Sequence, residues 1–166
     1  AYALSLQQFS PLPRRLSIAC PAERRCDMTG YVNPDKETFA AFRALPDDGP
    51  IHMLNLVRFR DWAAYEDGRK VSGKEAYRAY GRESGPIFRR VGGKQHWVGR
   101  FDLMLTGPKD EKWDLVFIAE YPSGASFVEM IRDPAYREAV KHRTAAVADS
   151  RLVRLKPLPP GENFGE

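Results

Sequence analysis

The feature that most constrains this chain is a strand signal that runs directly into two helix-start signals. Trp113 to Tyr121 is a nine-residue stretch, long and apolar enough for a strand, and Pro122 ends it. Ser123 opens a helical segment. Asp133-Pro134 then supplies a second start, a capping side chain followed by proline at the first helical position, and launches Ala135 and Tyr136 toward His142 and Arg143. A strand followed at once by helix buries its apolar face against that helix. The block therefore predicts one half of a two-layer α+β domain.

The other half precedes it. Asn33-Pro34 predicts a helix start, with Phe39, Phe42 and Leu45 at helical spacing and the Pro46–Pro50 run as its stop. Ile51 to Phe59 predicts a strand, residues 60–72 a long loop, and Ser72 with Glu75 a capping box. Tyr77, Tyr80, Ser84, Ile87, Phe88 and Val91 then share one helical face. Pro86 is expected to kink or restart this helix, and Gly92-Gly93 to stop it. A second strand is expected over 95–105, with Trp97, Gly99, Phe101, Leu103 and Leu105 on one side and His96, Val98, Arg100, Asp102 and Met104 on the other. The last strand is expected over 151–155. The order is helix, then β-α-β-β-α-β, which predicts a ferredoxin-like fold with an antiparallel sheet and helices on one face. The uncovered face would carry Asn55, His96, Arg100, Asp102 and Glu120 among apolar residues. Such a mixed face calls for a partner sheet, and a homodimer is the simplest source.

Composition narrows the function classes. The net charge of +4 has half its origin in residues 1–27, where four Arg face Glu23 and Asp27, so no clustered basic footprint for nucleic acid remains in the body. Both cysteines, Cys20 and Cys26, lie in that same segment, and neither a disulfide framework nor a four-ligand zinc site is expected from them. No apolar run reaches the roughly 18–20 residues of a membrane span. Pro11, Pro13, Arg14 and Arg15 interrupt any secretory h-region. The expected compartment is the cytoplasm. Residues 1–27 are expected to form a mobile extension, 28–160 one α+β domain and 161–166 a tail. Met28, where the pattern changes abruptly, is an expected alternative start.

Met53 to Phe59, Tyr77 with Tyr80, Gly92-Gly93, Glu120-Tyr121-Pro122-Ser123, and Asp133-Pro134-Ala135-Tyr136 with Arg143 occur in a fixed order across roughly residues 51–155. In this set the chain resembles the family of unknown function numbered 1330 (DUF1330), within the dimeric α/β-barrel superfamily. The resemblance implies two ferredoxin-like subunits with sheets face to face and a pocket inside the barrel or between sheet and helices. It implies no assigned reaction, because relatives span cofactor-free oxygenases, lactone isomerases and haem-handling enzymes.

His96, on the mixed side of its strand, is the candidate proton carrier; the plainer alternative is a bond to Asp102 or to a partner subunit. Asn55 stands in an apolar strand, where its amide needs partners, and the resemblance inclines it to the pocket. Arg143 offers a fork to an anionic ligand, or else pairs with Glu138 or Asp149, while His142 beside it reads as solvated. Arg58, Tyr80 and Tyr136 complete the expected ligand set. Glu120 is a further candidate, with an Arg100 ion pair as its plain alternative. Asp133 reads as a helix cap. The spacing of His52, His96 and His142 demands no metal, and none is expected, nor any cofactor; phosphate-loop, dinucleotide and nucleophile-elbow patterns are absent. The leading expectation is a homodimer that binds a small organic ligand and can carry cofactor-free oxygenation or isomerisation. Its rival is a non-catalytic dimeric binding or stress-related module.

Overall fold

The computed structural model describes residues 30–159 and 161. The expected extension over 1–27, Met28 and most of the 161–166 tail lie outside the described residues. Eight elements follow in order: α1 (Lys36–Ala44), β1 (Ile51–Phe59), α2 (Gly73–Arg90), β2 (Lys94–Gly99), β3 (Leu115–Tyr121), α3 (Gly124–Arg132), α4 (Pro134–Ala146) and β4 (Val147–Leu155). The strands form one antiparallel sheet in the order β2-β3-β1-β4. This is the ferredoxin-like α+β arrangement that the element order predicts. Among the described residues no helix is long and apolar enough to cross a membrane.

Local chemistry sets most boundaries. The Ser72 hydroxyl accepts from the Glu75 amide while the Glu75 carboxylate accepts from the Ser72 amide, which closes the expected capping box at the start of α2. Gly92 ends that helix at φ +80°, a conformation that a side chain would strain. The Asp133 carboxylate accepts from the Ala135 and Tyr136 amides and thereby divides the second crossover into α3 and α4.

Several boundaries differ from expectation. The first helix begins at Lys36, because the Asp35 carboxylate rather than Asn33 accepts from the Thr38 amide. Helix α2 continues through Pro86, whose missing amide would bond the carbonyl of exposed Arg82, where solvent can satisfy it. The strand expected over 95–105 ends at Gly99. Its partner β3 begins only at Leu115, so the ladder closes at Gly99 with Val116, and Leu103 and Leu105 stand 75% and 89% exposed.

The pleat then divides the strands between two faces. On the helical side, Ile51, Met53, Asn55 and Val57 of β1 are buried, as are Ala119 and Tyr121 of β3. Ile51, Met53, Ala119 and Tyr121 join Ile87, Val91, Met130 and Tyr136 in one apolar cluster, while Val57, Ala76, Ala145, Ala146 and Val147 form a second. His52, Leu54, Leu56, Val116, Ile118 and Glu120 occupy the alternate positions, toward the face without helices.

Candidate functional site

A cavity of about 550 Å³ lies between the helices and the sheet. Strand β1 lends it Met53 and Asn55, β3 lends Phe117, Ala119 and Tyr121, and β4 lends Ser150 and Leu152. The helices supply Tyr77 and Tyr80 from α2, Phe127, Met130 and Ile131 from α3, and Tyr136, Val140 and Arg143 from α4. The segment from Tyr31 to Asp35 forms part of the rim. The wall is apolar with a few convergent polar groups, the usual composition of a small-molecule site.

Those polar groups include the phenols, the Asn55 amide and the Arg143 guanidinium, while Asn33, Asp35, Thr38, Arg137, Ser150 and Arg151 also line the cavity. The Tyr80 and Tyr136 hydroxyls stand 3.0 Å apart in a hydrogen bond. Burial pushes the Tyr77, Tyr121 and Tyr136 phenols well above the ordinary tyrosine range, so all three stay protonated and act as neutral donors at neutral pH. The Arg143 charge opposes that rise at Tyr77 and Tyr136. Asn55 donates from Nδ2 to the Met53 carbonyl at 2.9 Å, which ties down one end of its amide.

Arg143 is the buried one of three arginines that line the cavity, with exposed Arg137 and half-buried Arg151. It is only 8% exposed, and its guanidinium donates to the Val32 carbonyl, to Ser150 Oγ at 3.2 Å and to Asn33 Oδ1 at 3.5 Å. All three acceptors are neutral. Among the described residues no carboxylate lies within ion-pair distance of it. The expected alternatives fail here, since Glu138 holds Lys141 and Asp149 holds Arg151, with Arg58 at 3.9 Å.

The structure thus brings four of the predicted site residues, Asn55, Tyr80, Tyr136 and Arg143, to one cavity and leaves three elsewhere. Asn55 was expected on the same sheet face as His96 and Glu120. It lies on the opposite one, because it shares the parity of buried Met53 and Val57. Arg58 is exposed near Asp149. His96 and Glu120 meet on the face without helices, where Glu120 Oε1 accepts from Lys94 at 2.9 Å and Oε2 lies 3.1 Å from His96 Nδ1 and 3.5 Å from His52 Nε2. The Lys94 hydrogen bond, ahead of the His96 bond, holds the Glu120 carboxyl below its ordinary range. Glu120 therefore pairs with Lys94 and the two imidazoles rather than Arg100, and His96 bonds Glu120 rather than Asp102.

His142 is half-buried and hydrogen-bonded rather than freely solvated. Its Nδ1 lies 2.5 Å from the Tyr65 hydroxyl and its Nε2 3.2 Å from Glu83, beside a separate open cleft of about 410 Å³. Adjacent residues on a helix point roughly 100° apart, so His142 and Arg143 serve different surfaces. The sequence offers Tyr77 only a place on one helical face and gives Ser150 no role. A buried serine beside a buried arginine becomes visible only once β4 begins at Val147 rather than at Arg151.

Comparison with known proteins agrees with this frame. A search of curated proteins finds no match. The crystal structure of methylated RPA0582 protein is 70% identical over 81% of this chain and 99% of its own, with a TM-score of 0.79. A second structure, of the RPA0582 protein of unknown function from Rhodopseudomonas palustris, is 69% identical over 80% of this chain and all of its own, with a TM-score of 0.77. Residues 68–155 match the model of a domain of unknown function, DUF1330, and cover α2 through β4 with most of the cavity's helical wall. On that match, the chain belongs to the DUF1330 family.

Proposed function

We propose that this protein binds a small organic molecule carrying an acidic oxygen, such as a carboxylate, phenolate or enolate, in the cavity between helices and sheet. The observation that carries the proposal is Arg143, a buried guanidinium at the cavity wall with only neutral partners among the described residues. A buried cation without a counter-charge is costly, and an anionic ligand would supply that charge. The fork geometry of Arg suits a carboxylate or a planar oxyanion. Phe117, Tyr121, Phe127 and Tyr77 offer flat apolar surface to the rest of an aromatic ligand, and the Tyr80–Tyr136 pair offers a neutral donor.

The same geometry favours binding over proton-transfer catalysis. All three histidines lie away from the cavity lining, and its one carboxylate, Asp35, caps α1. An oxygenation or isomerisation here would rely on Arg143 and neutral phenols to steady an oxyanion, with the proton carried by the ligand or by water. We also propose a homodimer closed through the face without helices. Trp97, Val153 and Leu155 are 51%, 42% and 39% exposed there, beside half-buried Leu54, Leu56 and Ile118.

The test is calorimetric and thermal-shift titration of the full chain with benzoates and naphthoates against their neutral amides. Binding of the acids and a raised melting temperature are expected, with amides at least tenfold weaker. Equal binding of acids and amides, or none of either, would remove the anion-site reading. Sedimentation of wild type and Ile118→Glu tests the dimer, and a monomeric wild type would end that part.

A further inference from the structure

The face without helices holds a second cluster of chemistry that the cavity does not use. His52 on β1, His96 on β2 and Glu120 on β3 converge from three adjacent strands. One nitrogen of each imidazole and one carboxylate oxygen all lie within 4.8 Å of one another. The two imidazoles approach the same oxygen, Glu120 Oε2, at 3.5 and 3.1 Å, and their ring centroids are 4.5 Å apart. Ligand atoms about 2.0–2.1 Å from a tetrahedral zinc stand roughly 3.3 Å from one another, so two edges of such a tetrahedron already have nearly the right length.

The strands explain how this arises. Facing His52 and Glu120 are a β1–β3 pair, and Lys94 faces Glu120 across β2–β3. A register shift between Gln95 and Trp97 leaves His96 as the extra residue of a bulge. Lys94 pairs with Glu120, so alternation from Lys94 sets the His96 imidazole on the Glu120 side, and the bulge brings Trp97, paired with Ile118, to that side as well. Its ordinary alternative is a solvated salt-bridge cluster centred on Lys94. Yet Lys94 bonds only Oε1, whereas both imidazoles crowd Oε2, and two imidazoles cannot both gain much from one oxygen that a lysine already neutralises in part.

We propose that His52, His96 and Glu120 form a binding site for a zinc-class divalent cation. Three protein ligands leave a fourth position for water or an anion, the composition of open rather than closed zinc sites. Two imidazoles and one carboxylate select zinc, cobalt, nickel or copper over magnesium or calcium, which prefer all-oxygen shells. Lys94, on the other carboxylate oxygen, orients Glu120 and competes with the metal for its charge.

The test uses the full chain carrying Cys20→Ser and Cys26→Ser, stripped by a chelator and titrated with Zn²⁺ by calorimetry and with Co²⁺ by visible absorption. One Zn²⁺ per chain with micromolar or tighter affinity is expected, with a Co²⁺ absorption band of low-coordinate nitrogen–oxygen ligation. His96→Ala and Glu120→Gln should each lose more than the roughly 10–100-fold that follows from losing an outer partner. Lys94→Met, which removes the competing ammonium, should bind at least as tightly as wild type. Melting temperatures in chelator verify that each variant is folded. Absence of saturable Zn²⁺ binding in the parent, or undiminished affinity in folded His96→Ala and Glu120→Gln, would overturn the proposal.

Discussion

Replacement of Arg143 by Met separates the two roles that a buried arginine can have. Arg143 makes two good hydrogen bonds, to the Val32 carbonyl and to Ser150 Oγ, and a third to Asn33 at the limit of distance. Each hydrogen bond from a charged donor is worth about 1.5–3 kcal/mol, so their loss alone would suggest several kcal/mol. Two features offset it. Ser150 keeps its own donation to the Tyr31 carbonyl at 2.7 Å, and the Val32 carbonyl stands beside a cavity from which water can replace the lost donor. Removal of the charge also relieves a desolvation cost of several kcal/mol, and methionine retains the apolar stem. The unfolding free energy of Arg143→Met is therefore expected to fall by no more than ~2 kcal/mol in urea titration. Ligand binding should respond differently. A charge-assisted fork to a carboxylate should cost about 1.5–3 kcal/mol to lose, which is about 10–150-fold in Kd. Arg143→Lys should fall between, because it keeps the charge and loses the fork. Calorimetry with an aromatic carboxylate that binds wild type decides the matter. An unchanged Kd in Arg143→Met, or a loss equal for the acid and its amide, would refute the assignment.

The Tyr80 and Tyr136 hydroxyls should couple, and a double-mutant cycle to Phe is expected to give an interaction energy of about 0.5–1.5 kcal/mol in unfolding free energy, against zero if the 3.0 Å contact is absent in solution. Base should unfold the protein. The Tyr77, Tyr121 and Tyr136 phenols have folded-state values raised by burial above an unfolded value of about 10, so their contribution is whole below pH 10 and is lost as pH rises past it. Phenolate absorbance from these three should appear together with loss of near-ultraviolet dichroism, and titration near pH 10 with the fold intact would contradict their burial. Acid should weaken the α3–α4 junction, because Arg90 first, and then the Tyr136 and Ala135 amides, hold the Asp133 carboxyl below its ordinary value. The stability that this carboxylate adds over Asp133→Asn should be constant from pH 5 to 7 and fade below about pH 4 in urea midpoints.

Much of the fold was legible because each boundary has a local cause. The Ser72–Glu75 box, the Asp133 cap and the Gly92 stop are chemistry within four residues of chain, and each shows in the sequence as it does in space. What escaped depends on a distant partner. Strand β2 reads as eleven residues by alternation, yet it stops at Gly99, because Leu115 begins β3. Strand β4 begins four residues earlier than its sequence suggests, since Val147 and Ser150 pair with Phe59 and Val57. The candidate residues show the same division. Asn55, Tyr80, Tyr136 and Arg143 could each be named from residue type and spacing, but that they share a cavity follows from the crossing of α2 and α4 over β1. His96 falls on the Glu120 face, as alternation suggests, but nothing in Lys94-Gln95-His96-Trp97 announces the bulge that brings Trp97 to that face as well.

The parity of β1 explains why the chemistry looked like one site and is two, since Asn55 is buried with Met53 and Val57 on the helical side. Strand β3 alternates strictly, with Phe117, Ala119 and Tyr121 toward the helices and Ile118 and Glu120 away from them. A single backbone layer thus separates an aromatic cavity holding a buried guanidinium from a cluster of two imidazoles and a carboxylate. The charges are complementary in kind: the cavity has a cation with only neutral partners, and the opposite face has a carboxylate that gathers every nearby base. If Glu120 and Arg143 shared one face they would neutralise each other and neither would have a use for a ligand. The parity of β1 and β3 keeps them apart, since a one-residue slip of either strand would send its whole set of side chains through the sheet. The apolar runs that bury Met53, Val57, Ala119 and Tyr121 therefore do more than stabilise the layer. They hold a buried guanidinium with neutral partners and a carboxylate with basic ones on opposite sides of it.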